Sequence, residues 1–189
     1  MSESTIKLEL IVILDEVFRR RGYEAATLSE LSRACGLGKA SLYHHFPGGK
    51  DEMAHVLLRR AIAELNELAY RHLDRPAPWH ERLACFVEGF AVYCADGTRN
   101  CLIAEFTATA ARSKFGDEIE QQSTTWLHKL TRAFSETGVT EKRASRRARE
   151  LLSTLYGALV LARLLDDPQP FRQIIRRLSE GFAKEQQPP

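Results

Sequence analysis

Cysteine, methionine and tryptophan are scarce in this chain, at four, two and two among 189 residues. Cys35, Cys85, Cys94 and Cys101 form no Cys-x-x-Cys pair and have no Cys/His zinc spacing, which speaks against a structural metal. Reduced thiols are the expected state. Cys94 and Cys101 flank a turn and leave a redox pair open, beside the plainer reading of small buried hydrophobes. No apolar run reaches the ~18 residues of a membrane span. A leader pattern is also missing, so the expected setting is cytoplasmic, with no membrane partner. The chain has no Gly-rich phosphate loop, no metal-ligand cluster and no plausible nucleophile–base pair, so neither enzyme chemistry nor a cofactor is called for. Period-two alternation is absent as well, which predicts an all-α fold. The net charge of only +2 excludes a general basic coat.

What is present is helical periodicity. Residues 6–21 place Leu10, Ile13, Leu14, Val17 and Phe18 on one stripe, and Gly22 stops the helix. Lys50 to about Leu73 reads as a long helix carrying Met53, Val56, Leu57, Ala61, Leu65 and Leu68. Pro76 and Pro78 break the chain, and a helix from Trp79 to about Ala95 follows. Residues 101–112 make a shorter apolar helix, and another runs from about Asp117 to Glu136. Thr140 caps a helix over residues 141–166, and a last stripe follows Asp167-Pro168.

Residues 27–46 carry a helix-turn-helix. Thr27 and Glu30 have the spacing of a capping box. Leu28, Leu31 and Cys35 line one face, Gly36 supplies the left-handed reversal, and Leu37 plugs the angle. Leu42 and Phe46 then face inward, leaving Lys39, Ala40, Ser41, Tyr43, His44 and His45 outward. A helix of about two turns fits the major groove, where its first residues meet base edges. Lys39, Ala40 and Ser41 are therefore candidate base contacts, with Lys39 suited to guanine. Thr27 and Ser29 are placed to reach phosphate, although capping alone explains Thr27. His44 is either a DNA contact or a solvated side chain. Residues 19–50 hold Arg19, Arg20, Arg21, Arg33, Lys39 and Lys50 against Glu24 and Glu30, a local excess that attracts a polyanion. The arginine run 19–21 either flanks DNA or forms a solvated helix end. The basic run from Lys142 to Arg149 reads as surface.

The words of residues 5–60 resemble the TetR family of transcriptional regulators: Arg-Arg-Gly-Tyr (20–23), Ala-Thr-Leu-Ser-Glu-Leu (26–31), Gly-Leu-Gly-Lys-Ala-Ser-Leu-Tyr-His-His-Phe (36–46) and Lys-Asp-Glu-Met (50–53). Residues 97–119 are similar to the drug-responsive branch of that family. The resemblance implies a helix-turn-helix domain at 1–49, and a helical effector-binding and dimerisation domain at 50–189. It also implies repression of a palindromic operator by a homodimer that a small lipophilic effector releases. Tyr43, His45 and Lys50 occupy positions that resemble the family's phosphate contacts.

In the second domain, Phe86, Phe90, Tyr93, Phe106, Trp126 and Leu130, with Glu105 and Thr109, form the expected effector pocket. Each ring taken singly reads more readily as core, and the pocket reading belongs to the set. Glu105 is open to pairing with a cationic ligand, with Arg112 or with water. The last two helices carry an apolar band too wide for one neighbour. Leu152, Leu155, Tyr156, Leu159, Ile174, Ile175 and Leu178 are expected to pack on a second copy as a four-helix interface. The competing class is a helical enzyme or binding protein for a small apolar ligand, which leaves the helix-turn-helix unexplained.

Overall fold

The structure, a computed structural model, describes residues 3–107 and 111–184. Among them are nine α-helices and no strand. In chain order these are α1 (Glu3–Ala25), α2 (Leu28–Cys35), α3 (Lys39–His45), α4 (Gly49–Leu68), α5 (Trp79–Tyr93), α6 (Leu102–Thr107), α7 (Arg112–Ser135), α8 (Glu141–Leu165) and α9 (Gln169–Lys184). None of the described helices is long and apolar enough to cross a membrane. The chain forms two units, Met1–Ala63 with Asn100–Ile119, and Glu64–Arg99 with Glu120–Pro189. These bounds divide α4 and α7 between the units and place α6 with the first, which differs from a single cut after residue 49.

The first unit is built on α1. Leu10, Ile11, Leu14 and Phe18 are buried, whereas Ile13, expected on that stripe, is 37% exposed. Gly22 breaks the helical path as expected, at φ 71°, ψ 175°. Four rings cluster here. Phe18 meets Phe106 at 6.0 Å, Phe106 stacks on Phe115 at 5.6 Å, and Tyr23 packs edge-on to Phe115 at 5.8 Å. Phe115 explains why α7 starts at Arg112 and not at Asp117: the extra turn carries that ring into the cluster. Part of the helix expected over 101–112 falls on residues 108–110, outside the described residues; α6 covers Leu102–Thr107.

In the second unit, the helix expected to reach Leu73 ends at Leu68, and a 3-10 turn spans Tyr70–Asp74. Close backbone contact with α5 accounts for the break. A Cβ on Gly89 would lie 1.7 Å from the Leu68 carbonyl oxygen, so only glycine lets the two backbones meet. The tighter turn buries Leu73 and Tyr70, and the Tyr70 ring stacks on Trp126 at 4.6 Å and 5°. Helix α5 also ends early, at Tyr93, because Ala95, Asp96 and Gly97 all have positive φ. Thr140 sits at the N-cap of α8, but its side chain makes no cap hydrogen bond. Arg82 is buried, donating to the Leu73 carbonyl at 2.8 Å and pairing with Glu136.

Gly89→Ala should lower the unfolding free energy by about 3 kcal/mol or more, because neither backbone has room to yield. Gly181→Ala, on α9 with nothing within 4 Å of the added carbon, should instead raise it by up to about 1 kcal/mol. Chemical denaturation of both variants checks the contrast.

Candidate nucleic-acid interface

The turn between α2 and α3 is fixed by local chemistry. Thr27 Oγ1 accepts from the Glu30 amide at 3.3 Å, and Glu30 Oε2 accepts from the Thr27 amide at 3.4 Å. This reciprocal box satisfies two donors that the first turn of α2 leaves without helical partners. Gly36 closes α2 at φ 64°, its amide donating to Arg33 O, while Leu37 N donates to Ser32 O at 3.1 Å. The Ser32 hydroxyl donates to the Leu37 carbonyl and locks the reversal from inside. Helix α3 then starts from an extended Gly38.

Two faces follow. Leu31, Leu42 and Phe46 are fully buried and anchor both helices. Lys39, Ala40, Ser41, Tyr43 and His44 are exposed, Tyr43 at 44%, and His45 is half-buried. The rings of His44 and His45 meet edge-on at 5.4 Å. Thr27 and Ser29 are exposed. The expected residues of α2 and α3 are thus exposed or, for His45, half-buried, beside a buried leucine–phenylalanine anchor.

Lys50 has a structural role that its sequence context does not reveal. Its ammonium donates to the Glu24 carbonyl at 3.2 Å and lies 4.3 Å from the Tyr23 ring centroid. Burial pulls its pKa below the ordinary lysine value. Gly49, one residue earlier, has φ +63°, and a Cβ there would lie 3.1 Å from the Tyr43 ring. The reading helix therefore rests its tyrosine on the first residue of α4. The amide of Gly48 donates to Glu52 Oε2 at 2.7 Å, which caps that helix start.

Several residues outside the motif hold this unit together. Arg19 is 2% exposed, bonded to Asp15 at 2.6 Å and to the Asn100 carbonyl at 2.6 Å, and Asn100 Nδ2 donates back to the Arg19 carbonyl at 2.9 Å. Arg20 and Arg21 are exposed, so the run 19–21 is not one solvated face. The i, i+4 spacing of Asp15 and Arg19 is the sequence signal for this pairing. Tyr23 donates its hydroxyl to Asp51, which also pairs with Lys114. Lys114, then the tyrosine, hold the Asp51 carboxyl below the usual aspartate range; Asp51, then Tyr23, raise the Lys114 ammonium. Burial, then the Asp51 contact, push the Tyr23 phenol up.

The residues expected in an effector pocket divide. Phe86, Phe90, Tyr93, Trp126 and Leu130 are buried in the second unit, where the Trp126 indole donates to Asn66 Oδ1 at 2.6 Å. Phe106 is buried and Glu105 half-buried in the first unit. Thr109 lies outside the described residues. Cys94 and Cys101 are both buried. Of the expected dimer residues, Leu155 and Leu159 are buried within their own unit, and Leu152, Tyr156, Ile174, Ile175 and Leu178 are half-buried. The exposed apolar residues of α8 are Val160, Leu161, Leu164 and Leu165, with Leu164 at 76%.

Residues 14–57 match the model of bacterial regulatory proteins of the tetR family, and residues 86–177 match that of the LmrA/YxaF-like transcriptional regulator C-terminal domain. The chain is 25% identical over 178 residues to an HTH-type transcriptional regulator of Mycobacterium tuberculosis, covering 89% of this chain and 90% of that protein. In fold it is similar to a TetR-family transcriptional regulator from Agrobacterium tumefaciens, with a TM-score of 0.78, 20% identity, and coverage of 95% and 98% of the two chains. It is also similar to AibR, solved with isovaleryl coenzyme A and operator DNA, with a TM-score of 0.63, 19% identity, and coverage of 79% and 83%.

Thr27→Ala removes the cap and should destabilise the chain by about 1 kcal/mol, whereas Thr27→Ser should restore most of that loss. Thermal unfolding of the two variants checks the assignment of the cap.

Proposed function

Since this chain belongs to the TetR family of bacterial transcriptional regulators, we propose that it is a repressor: a homodimer on a palindromic operator, released by a small lipophilic effector. It works as a DNA-binding regulator and not as an enzyme. The observation that carries the DNA contact is the exposed Lys39–Ala40–Ser41 edge of α3 over fully buried Leu42 and Phe46. Lys39 and Ser41 supply donors to base edges, while Tyr43, His44, His45, Thr27 and Ser29 supply donors toward phosphates. Lys50 adds charge from the start of α4 while it braces Glu24.

A single seven-residue reading helix meets few base pairs, and pairing two about one duplex turn apart multiplies the affinity. The exposed Leu161, Leu164 and Leu165 support a dimer, because leucines this open to water are stabilised when a second copy covers them. With them, the half-buried Ile174, Ile175 and Leu178 of α9 complete a four-helix seam. Leu155 and Leu159 support the seam from beneath and do not meet the partner. Effector release is supported by the match to the LmrA/YxaF-like domain and by a structural neighbour solved with both an acyl coenzyme A and DNA. The effector acts through its differential affinity for the DNA-bound and free conformations.

Fluorescence anisotropy with the duplex upstream of the chain's own reading frame tests the DNA reading. Lys39→Ala should weaken that duplex by about 1–3 kcal/mol and spare random DNA. Equal loss on both would make Lys39 a phosphate contact, and no binding by the unaltered chain would sink the repressor. Leu164→Glu should convert a dimer to single chains in sedimentation. An unaltered chain that already sediments as a monomer would refute the seam.

A further inference from the structure

The first turns of α4 and α7 carry charges in matching order. On α4, Asp51, His55 and Arg59 recur at i, i+4 and i+8; on α7, Lys114 and Glu118 recur at i, i+4. Each set therefore lies on one side of its helix. Asp51 pairs with Lys114, and Glu118 Oε2 lies 2.8 Å from His55 Nε2 while Oε1 lies 3.5 Å from Arg59 Nε. Both helices thus run with increasing number along the pairing. The Tyr23 hydroxyl shares Asp51 and ties the end of α1 into the same ladder.

We propose that this ladder is a positioning device for DNA binding, fixing the register of α7 on α4 and, through Gly49 and Tyr43, the pose of the reading helix. The proposal rests on the DNA-binding reading above. Exposed ion pairs stabilise little on their own, so the ladder is not chiefly a source of folding energy. Its effect lies in the alternatives it penalises. A slip of one turn, about 5.4 Å, sets Glu118 opposite Asp51 in one direction; in the other it sets Lys114 opposite His55 and takes the lysine away from Asp51. The first slip sets like charges together, and the second keeps Glu118 on Arg59 but leaves Asp51 and the Tyr23 hydroxyl without Lys114, so α7 has one preferred seat.

The route from there to the DNA face is short. Asp51 lies two residues past Gly49, whose missing side chain leaves room for the Tyr43 ring; an added Cβ would sit 3.1 Å from it. A shift in the first turn of α4 therefore moves the surface on which Tyr43 rests. Lys114 follows the described start of α7 by two residues, so a change at that helix start acts directly on the first rung.

Lys114→Glu and Glu118→Lys each place like charges across the ladder, and Arg59→Glu combined with Glu118→Lys restores the second rung with its charges exchanged. Each single variant should weaken binding to the upstream duplex about three- to fivefold, with an unchanged slope of log affinity against log salt. The exchanged pair should recover to within about twofold. In the DNA-free protein, hydrogen–deuterium exchange over residues 43–53 should quicken in the single variants and return toward normal in the exchanged pair. Unaltered exchange in that segment would overturn the proposal even if no duplex binds, which separates its failure from failure of the DNA reading. Unchanged affinity with a lowered melting temperature would reduce the ladder to a structural role. A salt slope lower by about one in Arg59→Glu alone would make Arg59 a phosphate contact and would likewise overturn it.

Discussion

Arg19 is the buried charge on which the first unit depends. A guanidinium removed from water is tolerated only when its donors are satisfied, and breaking such a pairing costs about 3–5 kcal/mol. Asp15 neutralises the charge from one turn back, and the Asn100 carbonyl takes a second donor. Asn100 returns a hydrogen bond to the Arg19 carbonyl. The segment entering α6 is therefore held to α1 from both sides. The ring cluster of Phe18, Tyr23, Phe106 and Phe115 requires this docking, since Phe106 arrives on α6 and Phe115 on α7. The helix-turn-helix in turn stands on α1 and α4, so its pose inherits whatever that docking fixes.

The outward face of the reading helix was legible in the sequence because its signals are local. Thr27 and Glu30 are three residues apart, and Gly36 acts on its immediate neighbours. Leu42 and Phe46 are one turn apart on a short helix, so a single periodicity argument orients all seven residues of α3. The helix ends were less legible. Nothing near Leu68 announces a stop, since the cause is Gly89, a glycine on another helix that admits the Leu68 carbonyl. The early start of α7 has the same origin in a distant partner, the ring cluster that receives Phe115.

Arg19 and the apolar band of α8 show where periodicity runs out. Three consecutive arginines step about 100° apart around α1, and the run alone does not say which one turns inward. On α8 the apolar positions cover two faces. Leu151, Leu155, Leu159 and Ala162 point into their own unit, while Leu161, Leu164 and Leu165 are left in water. A hydrophobic stripe records that a face is covered but not by which neighbour. Ile13, assigned from sequence to the α1 core, is exposed for the same reason.

The adjacent residues Arg99 and Asn100 are held by different partners. Arg99 donates to the Tyr93 carbonyl at 2.8 Å and to Glu64 on α4 at 2.7 Å, so it is bound to the end of α5 and to the later half of α4. Asn100, one peptide further on, is bound to α1 through Arg19. The three positive-φ residues just before them make a turn with little freedom to relax, because each non-glycine member already sits in a sparsely populated conformation. The end of α5 is therefore held on one side by the Arg99 guanidinium and followed on the other by a turn that resists change, which no stripe or spacing in the sequence announces.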